Sequence, residues 1–176
     1  MDRYFQLGLN EDLKGNYKAA VDFYIQSVEN EEMCLDAHLN LMVILIEVVF
    51  DYGVTSNLIN KGIYEKSEID GLFEYLNSLT QKTEILFDSN EVSFWKYYKE
   101  AFYQGLDRKA IVDIINQDKN SLIPYFPLYI TDLESQMGVS SYVDQINKLK
   151  KALFKSQTIK NKYVLSLIES AENLKI

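Results

Sequence analysis

Residues Tyr17, Ala20, Val21, Tyr24, Ile25 and Val28 fall at i, i+3, i+4, i+7, i+8 and i+11, a spacing that places all six on one stripe of an α-helix. A strand, whose side chains alternate with period two, cannot bring them to one side. Gly15 and Asn16 stand just before the stripe. Glycine accepts the left-handed backbone of a helix C-terminal cap, so a preceding helix is expected to end there and a second to run back antiparallel.

Helix breakers are scarce along the whole chain, with seven Gly and two Pro in 176 residues, and 47% of the residues are apolar. A chain of this length and composition can bury a substantial core and is neither loop-rich nor disordered. The segment from Met33 to Tyr52 is apolar nearly all round from Leu39 onward, which predicts a central helix covered on several sides. Gly53 is expected to end it, and Val54 to Ser67 reads as irregular. Ser67 with Asp70 resembles a capping box opening a helix through about Phe87, followed by a turn at Asp88, Ser89 and Asn90.

Trp95, Tyr98 and Phe102 share a helical face that Gly105 should close, and Asp107 is placed to cap a helix through Ile111, Ile114 and Ile115. In SLIPYFPLYI, Pro124 suits a first helical turn while Pro127 removes a backbone donor shortly after, so a kink or a late helix start is expected. Two amphipathic helices end the chain, one with Tyr142, Ile146, Leu149 and Leu153, the other with Val164, Leu167, Ile168 and Ala171. No strand-like alternation is present in the sequence.

The formal charge of −8 argues against nonspecific attraction to nucleic acid or anionic lipid, and favours basic partners. It is unevenly spread: residues 1–100 carry 18 acids and 8 bases, and residues 101–176 carry 8 acids and 10 bases. Between Ala19 and Asn60 there are seven acids and no Lys or Arg, whereas six Lys fall between Lys148 and Lys162 without an acid. Both runs read first as solvated helix faces. The single Cys34 cannot form an internal disulfide, which suits a reducing compartment, and the N-terminus lacks a signal-peptide pattern. A cytoplasmic protein without membrane insertion is the expectation.

The segment YFQLGLNEDLKGNYKAAVDFYIQSVEN resembles a tetratricopeptide repeat, matching at Tyr4, Leu7, Gly8, Ala20 and Tyr24, with Gly15 and Tyr17 at the turn. Gly8 and Ala20 are small where two helices touch, and Tyr4 and Tyr24 would fill the wedges beside them. Glu11 stands where the family has an aromatic, Ser27 where it has Ala, and Glu32 where it has Pro. One 34-residue shift places His38, Leu41 and Met42 at the positions of Tyr4, Leu7 and Gly8, and only the Leu is kept. A weaker echo runs through Trp95, Tyr98, Phe102 and Ala110.

The resemblance implies an all-α fold, a stack of antiparallel helix pairs forming a right-handed α-solenoid, irregular in its C-terminal half. One helical domain over residues 1–176 is expected, with repeat-like pairs in 1–53 and further hairpins in 54–176. It also implies a non-catalytic protein-binding module, an adaptor or chaperone, with Phe5, Leu9 and Asp12 of the first helix and Leu39 and Val43 of the third on the concave, partner-binding side. Family members that grip a carboxylate use Lys and Asn where Phe5 and Leu9 stand. An apolar groove with acidic margins, taking an amphipathic or basic protein segment, is the expectation here, and the same apolar residues read equally well as core.

Other chemistry is thinly represented. Cys34 and His38 lie four apart on one helix, where a thiolate and imidazole could meet, but nothing marks an orienting group or an oxyanion donor. One Cys and one His cannot build a zinc site, and Glu29, Glu31, Glu32 and Asp36 lack the spacing of a calcium loop. No phosphate loop or nucleophile elbow is present. No cofactor, metal or nucleic-acid partner is expected. The alternatives to the binding module are a small acidic inhibitor or immunity-type protein and, behind it, a Cys–His enzyme.

Overall fold

The computed structural model describes residues 3–30, 33–135 and 140–174. Among them the chain is all-α, with ten helices and no strand. It forms two compact units, Met1–Asp88 and Ser89–Ile176, so the organisational boundary lies in the expected turn at Asp88, Ser89 and Asn90 and not at Gly53. Glu31 and Glu32 lie outside the described residues.

In the first unit, α1 (Arg3–Leu13) and α2 (Tyr17–Asn30) are antiparallel neighbours, followed by α3 (Leu35–Phe50), α4 (Tyr52–Asn60) and α5 (Lys66–Leu86). The turn between α1 and α2 is a Schellman motif: the Asn16 amide donates to the Glu11 carbonyl at 2.9 Å and the Gly15 amide to that of Asp12 at 2.9 Å, with Gly15 at φ +75°. Glu11 also serves this turn through its side chain. Its carboxylate accepts from Lys14 at 2.6 Å and from the Asn16 side chain at 2.7 Å.

Gly8 is where α1 and α2 approach closest. A Cβ built there would lie 2.7 Å from Cδ1 and Cε1 of Tyr24 and 3.1 Å from its Cγ. Tyr24 and Ala20 are fully buried. The small-residue contact read from the sequence is thus a glycine seated on the face of a tyrosine ring, with Phe5 flanking that ring at a centroid distance of 5.9 Å.

Helix α3 is the central helix, packed against α2, α4 and α5, and every residue from Ala37 to Ile46 is buried. It ends earlier than expected, and not at glycine. Asp51 adopts an extended conformation and its Oδ1 accepts from the amides of Gly53 at 2.9 Å and Val54 at 3.1 Å, so that α4 restarts at Tyr52 with Gly53 inside it. An aspartate that satisfies the first amide groups of a new helix breaks the old one without any left-handed residue. The cap of α5 also moves: Glu65 and Glu68 occupy the box positions in place of Ser67 and Asp70, with the Glu65 amide donating to the Glu68 carboxylate at 2.7 Å. Among the described residues no single helix is long and apolar enough to cross a membrane; α3 and α4 reach that length only together and are bent by 76°.

The second unit comprises α6 (Asn90–Gln104), α7 (Arg108–Gln117), α8 (Tyr125–Glu134), α9 (Val143–Leu153) and α10 (Ile159–Asn173). Pro124 caps α8 and Pro127 occupies its third position, where an amide would have no intrahelical acceptor, so the late start accommodates both prolines. An aromatic core joins Phe94, Trp95, Tyr98 and Phe126, with ring centroids 5.2 to 6.2 Å apart. Glu91 closes one side of this core, accepting from Trp95 Nε1 at 3.3 Å and from Lys160 Nζ at 2.8 Å. The lysine run is therefore partly paired, Lys150 also meeting Glu172 at 2.8 Å.

Three phenols of the first unit are pushed well above the ordinary tyrosine range of about 10. Burial is the main cause at Tyr17, Tyr24 and Tyr64, reinforced by Glu47 at Tyr17, Asp12 at Tyr24, and Asp22 and Glu68 at Tyr64. A raised folded-state pKa leaves stability intact below the unfolded value; as pH climbs past it, the unfolded chain loses protons that the folded chain keeps, and stability falls. Helicity of the first unit should therefore collapse above about pH 10, with phenolate absorbance rising in the same step. Tyrosines that all titrate near that value while the far-UV spectrum stays native would contradict the burial of these rings.

Candidate functional site

The residues expected to line a groove are drawn into the first unit. Phe5 is 4% exposed, Leu39 1% and Val43 0%, Asp12 is buried at 8%, and Leu9 is half-buried. The open apolar groove expected there is therefore corrected: Phe5 packs against Tyr24 with the rings tilted by 47°, and α3 has neighbours in α2, α4 and α5. Apolar periodicity marks which residues are covered, and here the covering elements belong to the unit itself.

Cys34 and His38 sit in different surroundings. Cys34 is the half-buried N-cap of α3, while the imidazole of His38 is fully buried, with Nδ1 2.8 Å from Thr83 Oγ1 and the ring edge-on to Phe87 at 5.1 Å. Thr83 spends its own hydroxyl proton on the Leu79 carbonyl at 2.7 Å, so its oxygen faces His38 as an acceptor and Nδ1 is the donor.

An apolar concavity lies in the second unit. Tyr98, Ala101, Phe102, Gly105 and Leu106 line a cleft of about 320 Å³. Phe102 is 42% exposed, Leu106 45%, and Tyr103 beside them 69%. Local hydrogen bonds fix the loop at its rim. Gly105 ends α6 at φ +81°, its amide donating to Ala101 at 2.8 Å. The Tyr97 hydroxyl then clamps the following loop, accepting from the Asp107 amide at 2.6 Å and donating to the Asp107 carbonyl at 3.2 Å.

Asp107 caps α7 through the Lys109 amide at 2.9 Å, and Arg108 ties the start of α7 to Asp132 of α8 at 2.6 Å. These bonds leave Leu106 between two anchored residues with its side chain partly in solvent. On the inner wall, Tyr98 is buried and its hydroxyl lies 3.4 Å from that of Tyr163. Desolvation lowers the Lys99 pKa below the usual ammonium range, and Lys99 precedes Phe102 and Tyr103 by three and four residues, on the same side of α6.

The spacing sets Phe102 on one face with Trp95 and Tyr98, which are buried, yet it is 42% exposed; Gly105 was legible as a cap. Ala101 and Leu106 were not singled out by sequence reasoning, although an apolar residue between a C-terminal glycine and a capping aspartate is an available signal. Phe94, which lies off the Trp95 stripe, is core at 0% exposure. Among the described residues no group of three or more His, Cys, Asp or Glu is arranged to hold a metal ion.

The all-α class is the level at which the fold can be assigned. No family model matches the chain, and neither the curated proteins nor the solved structures yield a match to it.

Proposed function

We propose that this protein is a non-catalytic protein-binding module, of the adaptor or chaperone kind, that takes an apolar side chain from an amphipathic segment of its partner into the α6–α7 cleft. The observation that carries this reading is the exposure of Phe102 and Leu106 around a concavity whose walls are anchored by Gly105, Tyr97 and Asp107. Large apolar side chains held rigidly at a concave surface lose little entropy on binding, and aromatic residues are enriched among the anchors of interfaces. The tetratricopeptide resemblance of residues 1–34 supports the same class of function, with α1 and α2 acting as scaffold and not as the docking face.

The test is capture of partner from source-cell extract by the immobilised chain. Phe102→Asp combined with Leu106→Ser should reduce capture at least about tenfold, because a hot-spot loss of this kind is worth more than about 1.4 kcal/mol. The melting temperature should hold, since both side chains are already partly in water. Unchanged capture by the folded variant would remove the cleft from the binding surface.

A further inference from the structure

The fold sorts the lysines between Lys148 and Lys162. Lys150 pairs with Glu172 at 2.8 Å and Lys160 with Glu91 at 2.8 Å. Lys148, Lys151 and Lys155 are exposed, and no acid of the described residues lies within ion-pair distance of them. No Asp or Glu occurs from residue 145 to residue 168. The apolar stripe of α9, Ile146, Leu149 and Leu153, is only 1 to 5% exposed, and Lys148 and Lys151 fall on the opposite side of the helix.

The turn after α9 adds an apolar side chain beside these cations, Phe154, which is 57% exposed and directly precedes Lys155. That turn is fixed from within. The Phe154 amide donates to the Lys150 carbonyl at 3.0 Å and the Lys155 amide to that of Ala152 at 3.2 Å. The side-chain amide of buried Asn161 donates to the carbonyls of Leu153 at 3.2 Å and Ser156 at 3.0 Å. A buried amide spent on both ends of the turn holds the backbone that presents Phe154 and Lys155, so little chain entropy is left to lose when a partner covers them.

We propose that the outer face of α9 and the α9–α10 turn form a second docking surface, separate from the α6–α7 cleft, which takes a short acidic segment of a partner protein. Carboxylates of the segment meet Lys148, Lys151 and Lys155, and an apolar side chain meets Phe154. The outer two lysines are seven residues apart, roughly 10 Å along a helix axis, as are acids two turns apart on a partner helix. An aromatic anchor with a charged margin is the usual anatomy of a protein interface. The extent of the face favours a protein segment over a phosphate polymer or a lipid surface. Asp144 is exposed one turn before Lys148, so an anionic surface running past the stripe meets an acid, and three lysines fall short of the roughly four to eight in polybasic membrane-binding segments. The basic partners favoured by the total charge of −8 are not the partners of this face, because fields between exposed charges fade over about 8 Å in physiological salt.

Fluorescence anisotropy with the full chain at about 0.15 M salt tests the surface. The probe is a labelled synthetic helical peptide that carries Glu at every third or fourth position beside a Leu stripe. The native chain should bind it, and the same peptide with Lys in place of Glu should not bind. Lys148→Glu with Lys151→Glu and Lys155→Glu should weaken binding at least about tenfold, since each charge contributes up to roughly fivefold. Phe154→Ala should weaken it about fivefold, and Phe102→Asp with Leu106→Ser should leave it unchanged. Should the charge-reversed chain fail to fold, replacement of the same three lysines by Gln decides, with an expected loss of about fivefold. No binding by the native chain, or binding indifferent to the lysines, overturns the proposal. So does loss in the cleft variant alone, which places the peptide in the cleft. A single-stranded oligothymidylate, or vesicles of phosphatidylserine and phosphatidylcholine, bound through these lysines while the acidic peptide is not, would also overturn it.

Discussion

Gly8→Ala should destabilise the first unit by about 3 kcal/mol, at the upper end of what overpacking a well-filled contact costs. The added methyl would lie 2.7 Å from two ring atoms of Tyr24, and the ring cannot rotate out of the way at its Cγ, which is only 3.1 Å from the same point. Glycine is a poorer helix former than alanine by roughly 1 kcal/mol. On propensity alone the substitution would therefore stabilise α1, and its sign separates a steric contact from a loose one. Removing the ring should remove the clash: in a Tyr24→Leu background the alanine should cost little, giving a large coupling in the double-mutant cycle. Additive costs would mean that Gly8 and Tyr24 do not touch. Chemical denaturation followed by far-UV ellipticity provides all four stabilities.

Glu91→Ala should cost the second unit about 2 kcal/mol. Its carboxylate is 23% exposed and accepts from the 11% exposed Lys160 ammonium and from Trp95 Nε1. Truncation takes away the carboxylate that these two mostly buried donors share. Breaking a fully buried pair costs more and an exposed pair costs under 1 kcal/mol, and the partial exposure here sets the intermediate value. Trp95 is the only tryptophan, so its fluorescence reports the second unit alone. Glu91→Gln should recover part of the loss, because the amide oxygen can still accept from the indole. A variant as stable as the native protein, with unshifted emission, would show that the charge is not part of this core.

The helices that proved easiest to read were those whose signals are local. The stripe on α2, the Gly15 turn, the Gly105 cap and the Asp107 cap each follow from residues within one or two turns of one another. The break at Asp51 was harder, because an aspartate after a long apolar run reads as a surface residue until its two amide partners are seen, and the adjacent Gly53 offers a more familiar stop. His38 could be paired in sequence only with Cys34, whereas its partner Thr83 lies 45 residues away. The groove expected around Phe5, Leu39 and Val43 failed for a related reason: a stripe announces that something covers it without saying what. The α6–α7 cleft depends on a loop clamped by Tyr97 from ten residues upstream, a contact no periodicity encodes.

The most direct measurement of the central claim is site-specific photo-crosslinking in the source cell. A photoreactive phenylalanine analogue at Tyr103, which is 69% exposed beside the cleft, is compared with the same analogue at Tyr52, which is 85% exposed on the first unit. The account predicts a discrete crosslinked protein from position 103, absent from position 52 and lost when Phe102→Asp is added. The same products from both positions, or a product at 103 that survives the change at Phe102, would contradict it.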